Sequence, residues 1–324
     1  MSLMGTTSPD QSMEQNSKRQ HYVWRHYLDA WAADGTFCCY RQKDKKLFST
    51  LPKTIANETY FYETQQLTSG DIQFLEDFIA RASDERLREL NGNYLTLTQV
   101  TFDLRERLKS KVLPPEVRTT LEDELRWTER NLIERYHAGI EGKCHHILNS
   151  LQSGDDTFYR DEALCADFVY FLSLQYFRTA KMKKALGNIS SQVPGHDAHR
   201  TAQILNHILA TNVGAGLFLE RKAYRIIFLK NETSATFIAG DQPVLNMLDP
   251  KATDDLELYY PLSPNLAILL TKDVARLLDR ERSVTLFEVE RYNYAIYSNS
   301  EDQIYSSDED YLRQLVATKK NVLW

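Results

Sequence analysis

The amino-acid sequence predicts an α+β fold that is predominantly helical, with a central helical bundle and a sheet formed by N-terminal and C-terminal strands. Apolar residues recur with helical spacing through the middle of the chain, while short β-type segments lie toward both ends. The 12 glycines and 9 prolines among 324 residues are fewer than a loop-rich all-β protein needs. Hydrophobic residues make up 42% and charged residues 26%, as in an ordinary soluble globular protein.

The N-terminal part of the chain predicts a tail followed by a single α+β domain. Residues 1–17 are polar and contain no apolar stretch, so we expect a disordered N-terminal tail, with the domain spanning 18–324. Residues 18–28 indicate a short aromatic-rich helix that places His21 and Arg25 on one face. The apolar runs that follow a glycine predict a hairpin and a further strand, at 36–40, 47–51 and 54–62.

The middle of the chain has the helical period. Ser69 can cap a helix over 69–79, and the next helix, 94–111, stops at the two prolines that follow it. A segment of mixed charge then predicts an exposed helix over 116–151. Residues 94–155 are therefore expected to form a helical arm, through which two copies of the chain could pair. Two more apolar central helices are predicted at 158–186 and 198–219.

The C-terminal part again contains β-type segments. Strands are predicted at 224–229, 236–239, 257–260 and 266–271. Two closing helices are predicted at 286–297 and 308–319.

Composition and missing motifs exclude several classes of protein. A net charge of −6 argues against a protein that binds polyanions over its whole surface. No apolar run approaches the roughly 20 residues of a membrane span. The chain contains no phosphate loop, no dinucleotide-binding glycine motif, no nucleophile elbow and no zincin motif. We therefore expect a cytoplasmic protein with no membrane partner.

The cysteines point to no metal site and no disulfide framework. No two of them have the spacing of a zinc knuckle, so we expect reduced, mostly buried thiols. These residues are Cys38, Cys39, Cys144 and Cys165.

An ordered set of short motifs resembles a known family. The set comprises Gln20-His21-Tyr22-Val23-Trp24-Arg25-His26-Tyr27-Leu28, an aromatic stretch at 57–62, Ile140-Glu141, Gln175-Tyr176-Phe177-Arg178-Thr179, Gly240-Asp241-Gln242-Pro243-Val244 and Pro261-Leu262-Ser263-Pro264. It resembles the bacterial domain-of-unknown-function family numbered 4238. Trp24, Gly240 and Gln242 stand where that family has Pro, Ser and Asn. The resemblance implies no established activity.

The polar residues of these motifs define a candidate site. We assign His21, Glu141 and Asp241 as catalytic and Arg25, Gln175 and Arg178 as ligand-binding. The histidine would act as a general acid or base, and the arginines would clamp a phosphate or carboxylate. The carboxylates would orient the histidine or bind a divalent metal, whose identity the sequence leaves unknown. This set suits a phosphodiester-acting hydrolase, either a nuclease or a nucleotide hydrolase.

A non-catalytic interpretation explains the same residues. A buried arginine needs a carboxylate partner, and Glu141 and Asp241 are the natural partners of Arg178. The protein would then be a module that binds a small anion or a partner, with a structural polar cluster. Asp241 can also bond its own backbone in the turn before the proline. The sequence does not decide whether the chain is an enzyme.

Two further patterns receive less weight. Glu134 and His137 have the spacing found in di-iron helices, but that chemistry needs a second copy of the motif. The basic residues around His21, with the interleaved aromatics Tyr22, Trp24 and Tyr27, could contact nucleic acid. They suit a solvated helix start equally well.

Overall fold

Residues 18–249, 251, 255–273, 275 and 280–318 are described by a computed structural model, so the predicted tail at 1–17 lies outside them. The N-terminal elements are β1 (Arg19–His21), α1 (Arg25–Leu28), β2 (Phe37–Arg41), β3 (Lys46–Thr50) and β4 (Asn57–Thr59). The central helices are α2 (Ser69–Ala80), α3 (Glu85–Lys109), α4 (Pro115–Gln152), α5 (Glu162–Phe177), α6 (Ala180–Ser190) and α7 (Ala198–Leu219).

The C-terminal elements complete two sheets. They are β5 (Arg225–Lys230), β6 (Ala239–Gly240), β7 (Leu245–Asn246), β8 (Leu258–Ser263), β9 (Leu266–Thr271), β10 (Glu281–Ser283), α8 (Leu286–Asn299), β11 (Gln303–Ser306) and α9 (Glu309–Thr318). A four-stranded sheet in the order β3-β2-β11-β6 joins N-terminal and C-terminal strands, which confirms that prediction. A five-stranded sheet in the order β10-β5-β9-β8-β7 is built from C-terminal strands, and a small pair joins β1 to β4.

The five-stranded sheet separates two hydrophobic cores. Alternate residues of a strand point to opposite faces, so Ile226 and Phe228 of β5 enter the larger core, with the central helices. Ile227 and Leu229 enter the smaller core, together with α8 and α9. In the central bundle, α5 contributes some of the most buried side chains, including Phe168 and Leu172. The bundle predicted from the helical period is therefore present.

The first motif is not one helix, which corrects the prediction for 18–28. Gln20 is fully buried. Its side-chain Oε1 accepts from the Tyr62 N–H at 2.7 Å, and its side-chain Nε2 donates to the Arg130 carbonyl. These long-range bonds hold the residue in β1, which pairs with β4. His21 therefore ends a strand, Arg25 begins a separate short helix, and the two do not share a helical face.

Helix boundaries differ where a side chain caps earlier than predicted. Thr68, not Ser69, caps α2 in a capping box with Asp71. Asp84 caps α3, which therefore begins well before residue 94. The predicted helix over 158–186 is two helices, because Thr179 caps α6 with its hydroxyl and ends the run of α5. By contrast, α7 and β9 have the predicted bounds.

The segment predicted as a strand at 236–239 forms little sheet. Only its last residue belongs to β6. The Ile238 N–H donates to the Asn293 side chain at 3.0 Å, and the Phe237 N–H donates to the Pro264 carbonyl at 2.8 Å. Because these partners take the backbone donors, no continuous ladder forms there.

The predictions for the cysteines, for membrane-spanning helices and for the helical arm can also be compared with the structure. The four thiols are free and buried, as predicted. No helix in the part of the chain described above is both long enough and apolar enough to cross a membrane. Helices α3 and α4 follow one another through a short turn in the segment predicted as an arm. Pairing of two copies through it stays a prediction.

Candidate functional site

Arg178 lies at the C-terminal end of α5 and is buried, with 4% of its surface exposed. Its Nη2 is 2.6 Å from Glu141 Oε1, on α4. Its Nε donates to the Tyr22 carbonyl at 3.3 Å, and Nη2 also lies 3.4 Å from the His21 carbonyl. One interior cation therefore connects α5, α4 and the segment after β1. The expected pair of Arg178 with Glu141 is present.

Gln175, one helical turn before Arg178, is fully buried beside the same carboxylate. Burial raises the pKa of Glu141, while the Arg178 charge and the Gln175 amide act in the opposite direction. The amide is near enough to lower this pKa, although it makes no hydrogen bond of normal geometry. Glu141, Gln175 and Arg178 thus converge, as the motifs predicted.

The side chains of His21 and Arg25 are placed differently from those three. The His21 ring lies 3.3 Å from the Asn57 amide, and only its carbonyl contacts Arg178. Burial lowers the pKa of His21, and the charges of Arg178, Arg25 and Arg19 lower it further. Arg25 is exposed on the first turn of α1. His21 is therefore uncharged at neutral pH, at the edge of the cluster.

Asp241 is turned toward the C-terminal strands. Its carboxylate accepts the backbone N–H groups of Glu301 and Asp302 at 2.7 Å and of Gln303 at 2.9 Å. Burial raises its pKa to about 6, against the effect of those three donors. The carboxylate is fully engaged in holding the loop between α8 and β11. These partners are 60 or more residues away along the chain, so the bonds differ from the predicted ones to the backbone of its own turn, and the catalytic role stays a prediction.

The departures from the family motif at 240 and 242 have physical reasons. A Cβ at Gly240 would overlap Ser300 Oγ, so a larger residue there requires the Ser300 side chain to move. Gln242 accepts the Thr179 hydroxyl at 2.5 Å and donates to the carbonyls of Tyr176 and Val244, each at 2.9 Å. Gln242 therefore satisfies the backbone at the break between α5 and α6 and brings two motifs together.

Further polar residues, which were not part of the predicted site, lie close to Arg178. Glu134 and His137 lie on the face of α4 that carries Glu141. His137 is three positions after Glu134, and Glu141 is seven positions after it. Asn206 and His207 face the same interior from α7. The Tyr94 ring stacks on His207 with 3.4 Å between centroids.

These added residues are electrostatically perturbed. The pKa of Glu134 is raised to about 7, mainly by burial; the Arg178 charge acts against this rise and the Glu141 charge adds to it. Burial and the nearby Arg178 lower the pKa of His137 far below its ordinary value. Burial lowers the pKa of His207 to about 3. At neutral pH both imidazoles are neutral, and Glu134 is near the midpoint of its titration.

A small interior cavity lies among these side chains. Its volume is about 10 Å³, room for about one water molecule. Four of the residues that line it keep a buried polar atom that bonds to no described protein group: Arg178 Nη1, His137 Nδ1, Asn206 Oδ1 and His207 Nδ1. Buried polar atoms are normally paired, so this set needs an explanation. We call this space, with its polar lining, the inner cavity.

One sequence signal could have found the added residues. The Glu134-x-x-His137-x-x-x-Glu141 spacing places three ionisable groups on one face of a single helix. As a di-iron signature the spacing is incomplete, because that chemistry needs a second copy of the motif. Within the described ranges, no group of three or more His, Cys, Asp or Glu residues has a metal-binding arrangement. The relevant neighbour of this face is instead a buried arginine.

The aromatic residues beside the first basic cluster pack against other side chains, and a contact with nucleic acid stays a prediction. Tyr22 and Tyr27 are buried, and Tyr27 stacks on Tyr260 with 4.8 Å between centroids. The Trp24 ring packs edge-on against Phe171 at 5.6 Å. These side chains anchor the segment in the core.

Comparison with known proteins agrees with the motifs. Searches of curated proteins and of solved structures found no significant match. A model of the family described as "Protein of unknown function (DUF4238)" matches residues 19–310. The match covers most of the chain and includes all of the cluster around Arg178. The chain therefore belongs to this family, DUF4238.

Proposed function

We propose that this protein binds a small anionic group at Arg178, in the inner cavity enlarged by movement of its lining side chains Lys183 and Gln203. The carrying observation is that Arg178 Nη1 bonds to no described protein group although the side chain is buried and lines that cavity. A guanidinium with a free donor in a dry site is well suited to a phosphate or carboxylate oxygen. The neighbouring imidazole nitrogens of His137 and His207 can donate as well, depending on their tautomers.

The charges around Arg178 also favour an anion. When Glu134 is protonated, the positive charge of Arg178 faces one carboxylate, Glu141. Lys183, which lines the inner cavity as well, adds a second cation. The cluster then carries a net positive charge, which the anion would neutralise.

The test is to titrate the purified protein with orthophosphate, sulfate, acetate and oxalate. Binding is measured by isothermal titration calorimetry and by the shift in melting temperature. Arg178→Lys keeps the charge that pairs with Glu141 but removes the forked donors, and it should weaken binding by about tenfold or more. Asn206→Asp places a negative charge in the cavity lining without touching the ion pair, and it should also abolish binding. The exposed Arg313→Lys is the matched control. Binding that neither Arg178→Lys nor Asn206→Asp weakens would reject the proposal.

A second candidate function is hydrolysis of a phosphate ester, which the raised pKa of Glu134 favours. A carboxyl group with a pKa of about 7 is matched to acid–base work near neutral pH. Glu134 would take a proton from an attacking water and return it to the leaving oxygen, and His21 is the alternative base. Arg178 would bind the phosphate.

This candidate requires an activity assay. RNA, DNA, nucleotides and p-nitrophenyl phosphate are incubated with the protein, with and without Mg²⁺ or Mn²⁺. Glu134→Gln should reduce any cleavage by at least about a hundredfold, as expected for loss of a general base. Cleavage that survives in Glu134→Gln, His21→Ala and Glu141→Ala would show that this cluster is not the active site.

A further inference from the structure

Three spaces, from an open surface groove to the inner cavity at Arg178, share lining residues each with its neighbour. The inner cavity shares Tyr94, Lys183 and Gln203 with an outer cavity of about 30 Å³. The outer cavity shares His199 and Arg200 with an open surface groove of about 580 Å³. That groove has a size typical of small-molecule sites. The outer cavity therefore shares lining residues with both the surface groove and the inner cavity.

One face of α7 lines the whole path. His199, Gln203, Asn206 and His207 are separated by four, three and one positions, which places them along one side of the helix. His199 borders the groove, Gln203 borders both cavities, and Asn206 and His207 border the inner cavity. The rise of a helix gives this path a length of roughly 12 Å from the first to the last of them.

A lysine stands where the two cavities meet. Lys183 Nζ donates to the Phe61 carbonyl at 3.1 Å and lies 4.5 Å from the Phe61 ring centroid. It forms no ion pair with a carboxylate among the described residues, and burial lowers its pKa while the charge of Glu58 raises it. The ammonium is therefore held by a carbonyl and a ring, and its charge is available to a passing anion.

We infer that this line of spaces is an access passage that admits small anions from the groove to Arg178, with Lys183 and Gln203 forming its neck. This rests on the proposed function of Arg178. The passage is the route by which the anion arrives, and Lys183 is the residue that selects for negative charge. The two inner spaces are large enough only for water-sized molecules, so the side chains of Lys183 and Gln203 must turn aside to admit an anion. Both are unbranched and have several rotatable bonds, which makes this movement local.

The passage can be tested by the reactivity of a cysteine placed at its inner end. All four native thiols are buried, so the wild-type protein supplies a low background rate. The reporter is Asn206→Cys in the full chain, with Gln203→Cys as a second reporter at the neck. The probes are two methanethiosulfonates, one with a sulfonatoethyl group and one with a trimethylammonioethyl group. Circular dichroism verifies that each variant is folded.

The expected result has three parts. The anionic probe should modify Asn206→Cys about tenfold faster than the cationic one, since a cation at a narrow neck raises the local concentration of anions. Adding Lys183→Met should remove this preference. Adding Gln203→Trp, or Lys183→Trp if that variant does not fold, should slow both probes by a similar factor. Ser191→Cys in the open groove is the matched control, and the neck variants should leave its rate unchanged.

Two results would overturn the passage. One is a reporter at position 206 that reacts no faster than the wild-type background. The other is a rate that the bulky neck variants do not change. Because labelling measures access and not affinity, either result is separate from failure of the proposed function, which would appear as an absence of anion binding in the titrations.

Discussion

Arg178 and Glu141 form an ion pair, 2.6 Å between Nη2 and Oε1, that joins α5 to α4 inside the protein. The arginine side chain is 2% exposed and the glutamate side chain 12% exposed. Removing one partner of such a pair leaves an uncompensated interior charge, which costs more than removing both. The pair is therefore a structural element as well as part of the candidate site.

The first prediction concerns this pair. Glu141→Gln should lower the free energy of unfolding by about 3–5 kcal/mol, as measured by urea denaturation at pH 7. The double variant Arg178→Met with Glu141→Leu should lose less, because no charge is left unpaired. Glu309→Gln breaks the exposed pair with Arg313 and should change little. A double variant that is less stable than Glu141→Gln would contradict the argument.

The second prediction concerns the pH dependence produced by Glu134. Its folded pKa of about 7 lies above the ordinary value of 4.5, so the folded state binds this proton more tightly than the unfolded state does. The stabilisation is complete below pH 4.5 and is lost as pH rises toward 7. Glu134→Gln mimics the protonated form, and its stability relative to wild type should rise across this range by up to about 3 kcal/mol.

Urea denaturation of both proteins at intervals from pH 4 to 8 measures this difference. Glu124→Gln, on an exposed position of the same helix, is the matched control and should give a flat difference. A flat difference for Glu134→Gln as well would mean that its carboxyl group titrates normally.

The third prediction concerns Asp241. Asp241→Ala leaves three backbone donors without their charged acceptor, and we expect a loss of about 3 kcal/mol in the free energy of unfolding. Asp44→Ala, in the exposed hairpin turn, is the control and should have little effect. A stable Asp241→Ala protein that had lost anion binding would instead support the ligand-site role that the sequence suggested.

The fourth prediction concerns the wall of the surface groove. A Cβ at Gly70, on the first turn of α2, would overlap the Gly195 carbonyl, so Gly70→Ala should destabilise the protein by more than about 1 kcal/mol. Nothing lies within 4 Å of a Cβ at Gly92, inside α3. Gly92→Ala should therefore stabilise by up to about 1 kcal/mol through helix propensity. Thermal denaturation compares the two variants, and equal effects would show that Gly70 is not constrained by its neighbour.

Much of the fold follows from local patterns. The helical period over 198–219 predicted α7 with its observed bounds, because that apolar stripe faces one core along its whole length. The apolar helix around Arg178 predicted a carboxylate partner, Glu141 or Asp241, and the partner is Glu141. The strands predicted at both ends of the chain, with helices between them, indicated a sheet that both ends share, which is present.

Other features depend on contacts that local patterns do not contain. Helical spacing suggested one helix over 18–28, yet the bonds of Gln20 to Tyr62 and Arg130 make its start a strand. The hydroxyl of Thr179 and the amide of Gln242 end α5 earlier than the apolar run indicates. In each case a distant hydrogen bond outweighs a weak local preference.

The identities and spacing of the charged residues, and the helices that carry them, were readable from the chain itself because they depend on neighbours within one or two turns. The tertiary structure alone decided that His137 and His207 meet Arg178 around a cavity, that Glu134 lies within reach of the same charge, and that Asp241 turns away to the β11 loop. The physical reason is desolvation. A side chain loses its water only when elements far apart along the chain close over it, and that closure sets both its charge state and its access to a ligand.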